Sequence, residues 1–376
     1  MPERSIGISN TVETPLPTRA GEARTFPCEA CGADLVFHVG EQALGCGYCG
    51  WTKPLEFSDD AAVEEQDLEV RLAQLRERRQ EDRPRSTLRE VQCEACGARV
   101  SFAGSLTSQD CPYCGMPLQV EGAHHEPDRI PVDGVLPFQI ERGEARANLT
   151  RWVQSRWFAP NEFKRRGADG RFTGVYLPYW TFDSVTTNRY SGERGDRYTT
   201  TIGSGKNRRT VTRVRWSPAS GAFQLSFDDV LIVGGDGLPL ERLRGLEPWA
   251  LEKTVPFREE FLAGFLARTY DVELPEGFQR GKARMEDAIE QAVRRHIGGD
   301  TQRVHHIDSR FDALTYKHVL LPVWMLSYRY RGEVYQVVVN ATTGEVQGDR
   351  PYSPWKIALA VLGGIVGLLL LIWLVR

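Results

Sequence analysis

The stretch CEACGADLVFHVGEQALGCGYC, residues 28–49, decides how this chain begins to fold. Two residues separate Cys28 from Cys31, fourteen separate Cys31 from Cys46, and two separate Cys46 from Cys49. The pattern returns without deviation at residues 93–114, CEACGARVSFAGSLTSQDCPYC, with Cys93, Cys96, Cys111 and Cys114. An identical gap in both copies is metal-site spacing. A glycine follows each pair (Gly32, Gly50, Gly97, Gly115) and permits the tight turn that aims backbone N–H groups at thiolates. Asp34–Val39 and Arg99–Phe102 read as short strands between the pairs. Two zinc ribbons are expected, over residues 24–57 and 89–121. With four thiolates each, their two zinc ions have no open position and are structural. His38 reads as a strand residue rather than a fifth ligand. All eight cysteines lie between Cys28 and Cys114, which speaks for metal binding and against a disulfide framework.

Charge narrows what the ribbons contact. Each span carries two basic and four acidic side chains, and four thiolates on one zinc add a formal −2. Phosphate binding needs the opposite sign. A protein partner, or a purely structural role, is the expectation for both.

Residues 1–23 carry no apolar segment of signal-peptide type and read as a disordered N-terminus, which places the body in the cytoplasm. Residues 58–88 read as a charged helical spacer capped by Ser58, starting at Asp59-Asp60 and stopped by Pro84. Its apolar positions Leu68, Leu72 and Leu75 form a narrow stripe, fitting either a solvated spacer or a short coiled coil. Residues 122–134, with His124-His125, read as an exposed linker.

The body beyond is α+β with antiparallel sheet, and it reads as a duplication. Val135-Leu136-Pro137-Phe138 opens the first unit, residues 135–250, and is followed by a helix over Glu144–Phe158 and then YLPYW at 176–180. Val255-Pro256-Phe257 opens the second, residues 251–350, and is followed by helices and then HVLLPVW at 318–324. Met285, Ile289, Val293 and Ile297 mark one face of a helix that ends at Gly298-Gly299. Hairpins are expected around Arg331-Gly332 and Thr343-Gly344.

Residues 194–215 hold Arg194, Arg197, Lys206, Arg208, Arg209, Arg213 and Arg215 against Asp196 alone. The alternation of Arg209, Arg213 and Arg215 puts three guanidiniums on one strand face. A solvated edge strand, anionic lipid headgroups and nucleic acid, with Tyr198 and Trp216 for stacking, are the three readings. The sequence holds neither a zinc-protease HExxH nor a nucleophile elbow. Gly203-Ser204-Gly205-Lys206-Asn207 lacks the glycine spacing of a phosphate loop and the Ser/Thr after lysine. His305 and His306, beside Asp308, point to opposite faces of a strand.

The chain closes with Ile357–Val375, IALAVLGGIVGLLLLIWLV, long enough as a helix for the ~30 Å hydrocarbon core of a bilayer. Tyr352, Trp355 and Lys356 form an interfacial collar before it, within residues 351–376. Ala360/Gly364 and Gly363/Gly367 are small-xxx-small pairs suited to a homodimer. Residues 1–134 carry a net −10 and the remainder +7, so the basic half leads to the membrane.

These phrases together, CEACGA, YLPYW, HVLLPVW and the closing YQVVVNATTGEVQGDRPYSPWKI, resemble a family of bacterial, tail-anchored, double zinc-ribbon membrane proteins of unassigned function. Its members often carry the label primosomal protein N′, superfamily II helicase or TFIIB-type zinc ribbon. The resemblance implies the architecture, the eight cysteine ligands and placement in the bacterial inner membrane. Helicase activity needs an ATP site, and this sequence has no Walker A loop. The expected function is a membrane-tethered, zinc-binding scaffold without catalysis. A nucleic-acid-binding protein at the membrane is the alternative.

Overall fold

The computed structural model describes residues 28–33, 35–55, 62–80, 89–93, 97–101, 108–110, 113, 117–119, 123–125, 130–161, 171–203, 205, 208–235, 238–267, 270–330 and 333–375. The expected disordered N-terminus, residues 1–23, lies outside them, as do Cys96, Cys111, Cys114 and Lys206.

Three long strands organise the body: β11 (Arg171–Ile202), β12 (Arg209–Val233) and β15 (Thr301–Tyr330). β11 is the middle one, antiparallel to both neighbours. YLPYW lies directly against LLPVW, with Tyr176 opposite Pro322, Leu177 opposite Leu321 and Pro178 opposite Leu320. The strands of both halves therefore share one sheet rather than forming separable units. β10 (Gly134–Val135) and β13 (Val255–Pro256), from the two opening phrases, also pair with each other. β16 (Glu333–Asn340) and β17 (Val346–Gly348) extend the sheet beside residues 323–330 of β15. The end of the sheet that carries them is the base, and the far end of β11 and β12 is the tip.

Alternation along these strands builds two cores. Tyr176, Leu320, Trp324, Leu326, Val337 and Val339 face one side, with Phe138 and with Leu149 and Val153 of α2 (Arg142–Ser155). Val175, Leu177, Tyr179, Val319, Leu321, Val323, Met325 and Val338 face the other. α2 ends three residues before the expected Phe158, so Trp157 falls in the following turn and not on the helix's buried face.

Towards the tip, α3 (Leu274–Ile297) lies along the sheet. It buries Met285, Ile289, Val293 and Ile297, the face read from sequence, and ends at Gly298 and Gly299, both with positive φ. A β-carbon on Gly277 would stand 2.8 Å from Trp180 Cδ1, and one on Gly281 2.8 Å from Phe182 Cδ2. The helix can lie this close only because both positions lack a side chain.

Of the segment read as a spacer, residues 62–80 are described, and they pack on the body. β4 (Gln66–Asp67) pairs with Tyr316 and Thr315 of β15, and α1 (Leu68–Gln80) begins at Leu68 rather than Asp59. Asp67 Oδ1 accepts the Val70 N–H at 2.8 Å and caps it. Leu68 is fully buried, and Leu72 and Leu75 pack beside it against the cluster of Trp180, Phe182 and Tyr316. The apolar stripe is neither solvated nor turned to a second protomer, because the sheet offers it an apolar face.

One further helix, α4 (Pro354–Val375), is long and apolar enough to cross a bilayer, and its side chains are exposed throughout the apolar stretch. Pro354 opens it where a missing N–H costs nothing.

Candidate metal centre and basic hairpin

β1 (Leu35–His38), β2 (Ala43–Cys46) and β3 (Thr52–Pro54) form an antiparallel sheet that brings the two cysteine pairs of the first ribbon together. Each pair is a knuckle. The Cys28 N–H donates to Ala33 O at 2.7 Å and the Gly32 N–H to Cys28 O at 2.8 Å; the Cys46 N–H donates to Trp51 O at 2.8 Å and the Gly50 N–H to Cys46 O at 2.9 Å. Gly32 and Gly50 have φ of 76° and 75°, the conformation glycine allows. The four sulfurs lie within 4.8 Å of one another, with Cys28 Sγ 3.6 Å from Cys49 Sγ and Cys31 Sγ 3.5 Å from Cys46 Sγ. A tetrahedron of zinc–sulfur bonds of about 2.3 Å separates sulfurs by about 3.8 Å, so the donor set fits that ion.

The protonation pattern points the same way. Backbone N–H groups of Cys49 and Tyr48 pull the Cys46 thiol down to about 6. At Cys49 the Trp51 N–H also lowers the thiol, but neighbouring sulfurs and burial outweigh it and push the group up to about 12. Four sulfurs this close cannot all ionise without a cation. His38 is exposed, with its ring over Gly45 and outside the group of sulfurs.

The second copy repeats the first knuckle: Cys93 N–H to Ala98 O at 2.8 Å, Gly97 N–H to Cys93 O at 2.8 Å, and φ of 71° at Gly97. Its remaining ligands lie outside the described residues. β5 (Arg89–Gln92) pairs with β6 (Arg99–Ser101) and with β9 (Ala123–His125), and β7 (Ser108–Asp110) pairs with β8 (Pro117–Gln119). His124 and His125, read as part of a linker, are therefore strand residues opposite Glu90 and Arg89.

Neither copy stands apart from the body. Cys28, Leu35, Phe37, Leu44, Cys46 and Leu55 join the core on one face of the sheet, where the Phe37 N–H donates to Ala263 O at 3.0 Å and Gln42 Nε2 to Phe138 O at 2.9 Å. Cys93, Ala98, Val100 and Tyr113 join the core on the opposite face. Tyr113 O accepts hydrogen bonds from Ser327 Oγ and Gln336 Nε2 of the body. Cys28 and Cys46 of the first module and Cys93 and Ala98 of the second thus pack on opposite sides of the strands that carry YLPYW and LLPVW.

The basic segment occupies the tip. β15 begins at Thr301, opposite Gly195, so beyond that point only β11 and β12 remain paired, from Asp196 with Arg215 to Ile202 with Arg209. Arg209, Arg213 and Arg215 share one face with Tyr198, as the alternation predicted, and all four are exposed. The Arg215 guanidinium lies 5.4 Å from the Tyr198 ring centre. Arg197 belongs to the opposite face beside Val214, and its N–H donates to Asp300 Oδ2 at 2.6 Å. Arg208 is exposed at the start of the return strand. At about 3.3 Å per residue, the 25 residues from Gly174 to Thr199 place the tip roughly 80 Å along the strand from the base.

The other candidates lie apart from these two sites. His305 and His306 are exposed on β15, with His305 Nε2 3.8 Å from Glu193 Oε2. Glu65, Asp183 and Asp228 bring carboxylates within metal-ligand range, a grouping that sequence reading missed. A lysine already serves the cluster: Lys317 Nζ is 2.8 Å from Asp229, 3.6 Å from Glu65 and 4.0 Å from Asp183. Burial lowers the Lys317 ammonium pKa, but these carboxylates more than offset it and hold it up. The cluster ties residues 62–67 to the sheet. No local pattern announces it, because its members are scattered from Glu65 to Lys317.

No family model matches this chain, and no solved structure matches it. The chain is similar to the Bacillus subtilis (strain 168) protein named "Uncharacterized protein YdjG", at 28% identity over 244 residues, 62% of this chain and 67% of that protein.

Proposed function

We propose that the protein is a non-enzymatic scaffold held to a bilayer by α4, in which two structural zinc ions brace one rigid sheet and the sheet carries a basic hairpin to an acidic partner. The observation that carries this reading is the placement of the two cysteine modules on opposite faces of the same strands. A four-cysteine module of ~25–30 residues has little core of its own and folds on its metal. Here its apolar side chains continue into the body, so each zinc also holds a face of the sheet. Cys96, Cys111 and Cys114 complete the second site with Cys93, whose knuckle already has the geometry of the first. A protein partner at the first ribbon meets the exposed knuckle tips, where Tyr48 is 86% exposed, since Leu35, Phe37 and Leu44 are buried against the body.

Duplication of the body fits the same arrangement. The pairs Tyr176–Pro322 and Pro178–Leu320 exchange under a local two-fold that superposes Pro178 on Pro322. Trp180 and Trp324, each two positions after its proline, donate through Nε1 to backbone oxygens, Val272 O at 2.9 Å and Ile140 O at 2.8 Å.

Retention of partners by the full-length protein in nanodiscs tests the scaffold reading. Binding is expected to be lost when Arg209, Arg213 and Arg215 are replaced by Ala together, with zinc content unchanged. An identical partner set in that variant contradicts the role given to the tip.

A second reading, nucleic-acid binding at the membrane, has one specific observation in its favour. Past Gly195 the sheet narrows to two strands, and a two-stranded ribbon is a shape that the ~12 Å major groove admits. It requires duplex affinity that falls steeply with salt, with the log–log slope flattening by about 1 for each arginine removed. Affinity that is insensitive to salt rules it out. The anionic-lipid reading loses its original ground, because the strand carries the tip away from the end where α4 begins. A β-carbon placed on Gly363, Gly364 or Gly367 would meet nothing from the rest of the protein within 4 Å, which leaves the small-residue face of α4 open to a second copy.

A further inference from the structure

A turn distant from α4 in sequence is bonded to its root. After α2 the Arg156 N–H donates to Val153 O at 3.2 Å and the Ala159 N–H to Arg156 O at 3.1 Å, folding residues 156–159 into a tight turn. Phe158 O accepts the Ser353 N–H at 2.8 Å, and Lys356 Nζ donates to Ala159 O at 2.8 Å and Asn161 Oδ1 at 2.7 Å. Ala159 and Pro351 are buried at this junction. The chain entering α4 is therefore pinned to the body and is not a loose tether.

Both partners in this junction turn large rings outward. Trp157 is 74% exposed, Tyr352 57% and Trp355 80%, and Phe158 is exposed beside them. Basic side chains accompany the rings: Lys356 in the junction itself, and Arg350, whose guanidinium lies 5.3 Å from the Tyr352 ring centre. Single exposed aromatics need no explanation. Here they come from two segments almost 200 residues apart, meet at the root of an apolar helix, and stand among cations. Tryptophan and tyrosine with nearby lysine and arginine are the side chains that settle in the headgroup layer.

We propose that the Trp157-Phe158 turn is a second membrane contact, seated in the headgroup layer beside Tyr352 and Trp355, which fixes the body's orientation and holds the basic tip away from the bilayer. This rests on α4 spanning the membrane. One contact leaves a body free to swing about its anchor. Two contacts joined by the Ser353 and Lys356 hydrogen bonds set its direction.

The test uses full-length protein in vesicles of phosphatidylcholine and phosphatidylglycerol, with and without bromine on the lipid acyl chains near the headgroup. The emission difference between wild type and Trp157→Phe isolates Trp157. Brominated lipid is expected to quench that difference about twofold or more, as an interfacial indole requires. Equal emission in both lipids, with the protein retained through alkaline extraction, overturns this inference and leaves the anchor standing; release by alkaline extraction overturns both. Orientation is read by energy transfer from a dye at Thr199 to acceptors on the headgroups. Transfer is expected to be low in wild type and to rise several-fold when Trp157→Asp and Phe158→Asp are combined, the thermal midpoint of that variant being checked in parallel. High transfer in wild type contradicts the proposal.

Discussion

Gly277 and Gly281 set how closely α3 approaches the sheet. Alanine for glycine on an open helix surface stabilises by roughly 1 kcal/mol. Here the new methyl meets Trp180 or Phe182 at 2.8 Å, so the sign reverses. Each substitution is expected to destabilise by about 1–3 kcal/mol, as overpacking does, and a lowered thermal midpoint in Gly277→Ala and Gly281→Ala checks it. Asp133 makes a second residue-level claim. Burial pushes its carboxyl up, against the pull of the His318 N–H that it accepts at 2.7 Å and of the Arg71 charge. With the folded value above the ordinary 3.8, the associated stability is present below that pH and is lost as pH rises through the folded value. Asp133→Asn keeps an acceptor for the His318 N–H and should melt higher than wild type near pH 7, the gap narrowing towards pH 4. A gap independent of pH contradicts the assignment. At this scale the sequence was legible where spacing is local: the 2-14-2 pattern named Cys28, Cys31, Cys46 and Cys49, whose sulfurs converge. Lys317 and its carboxylates were not, since only the folded sheet brings Glu65 to Asp229.

Among the elements, α3 was read correctly because four apolar residues at helical spacing and a closing Gly-Gly are a self-contained signal. The long strands were read only in fragments. Their alternation is broken by register shifts, near Phe182–Ser184 on β11 and at His305 on β15, opposite Ser191–Gly192, which hide the continuity of the strands from any local window. The stripe of α1 was visible, but not the surface it covers. A metal prediction belongs to this scale. Under the two-zinc proposal, Cys31→Ser is expected to lower bound zinc by one ion per chain, from two to one, measured by atomic absorption, and to speed amide exchange at Phe37, whose N–H reaches Ala263 O. Retention of both ions would remove Cys31 from the ligand set. The basic ribbon predicts nothing for stability: Arg209, Arg213 and Arg215 are exposed beyond the third strand, and replacing them by Ala should leave the melt within about 0.5 kcal/mol of wild type.

For the whole molecule, α4 enters beside the base of the sheet, through the Ser353–Phe158 bond, and the basic face lies at the other end. The long apolar C-terminal helix, the converging cysteines of the first ribbon and the presence of an antiparallel body were each legible in the sequence. Their assembly was not, because a surface that is apolar on a ribbon and one that is apolar on a sheet carry no mark that they fit each other. Read as separate domains, the two cysteine modules suit recruitment. Packed on both faces of β11 and β15, they suit bracing, and the difference is measurable. Amide exchange of the full-length protein in nanodiscs, before and after zinc chelation, tests that claim most directly. Bracing requires that chelation strip protection from residues 175–180 and 319–326 along with the cysteine modules. Contradiction would be protection unchanged in those strands while residues 28–54 and 89–125 alone exchange faster.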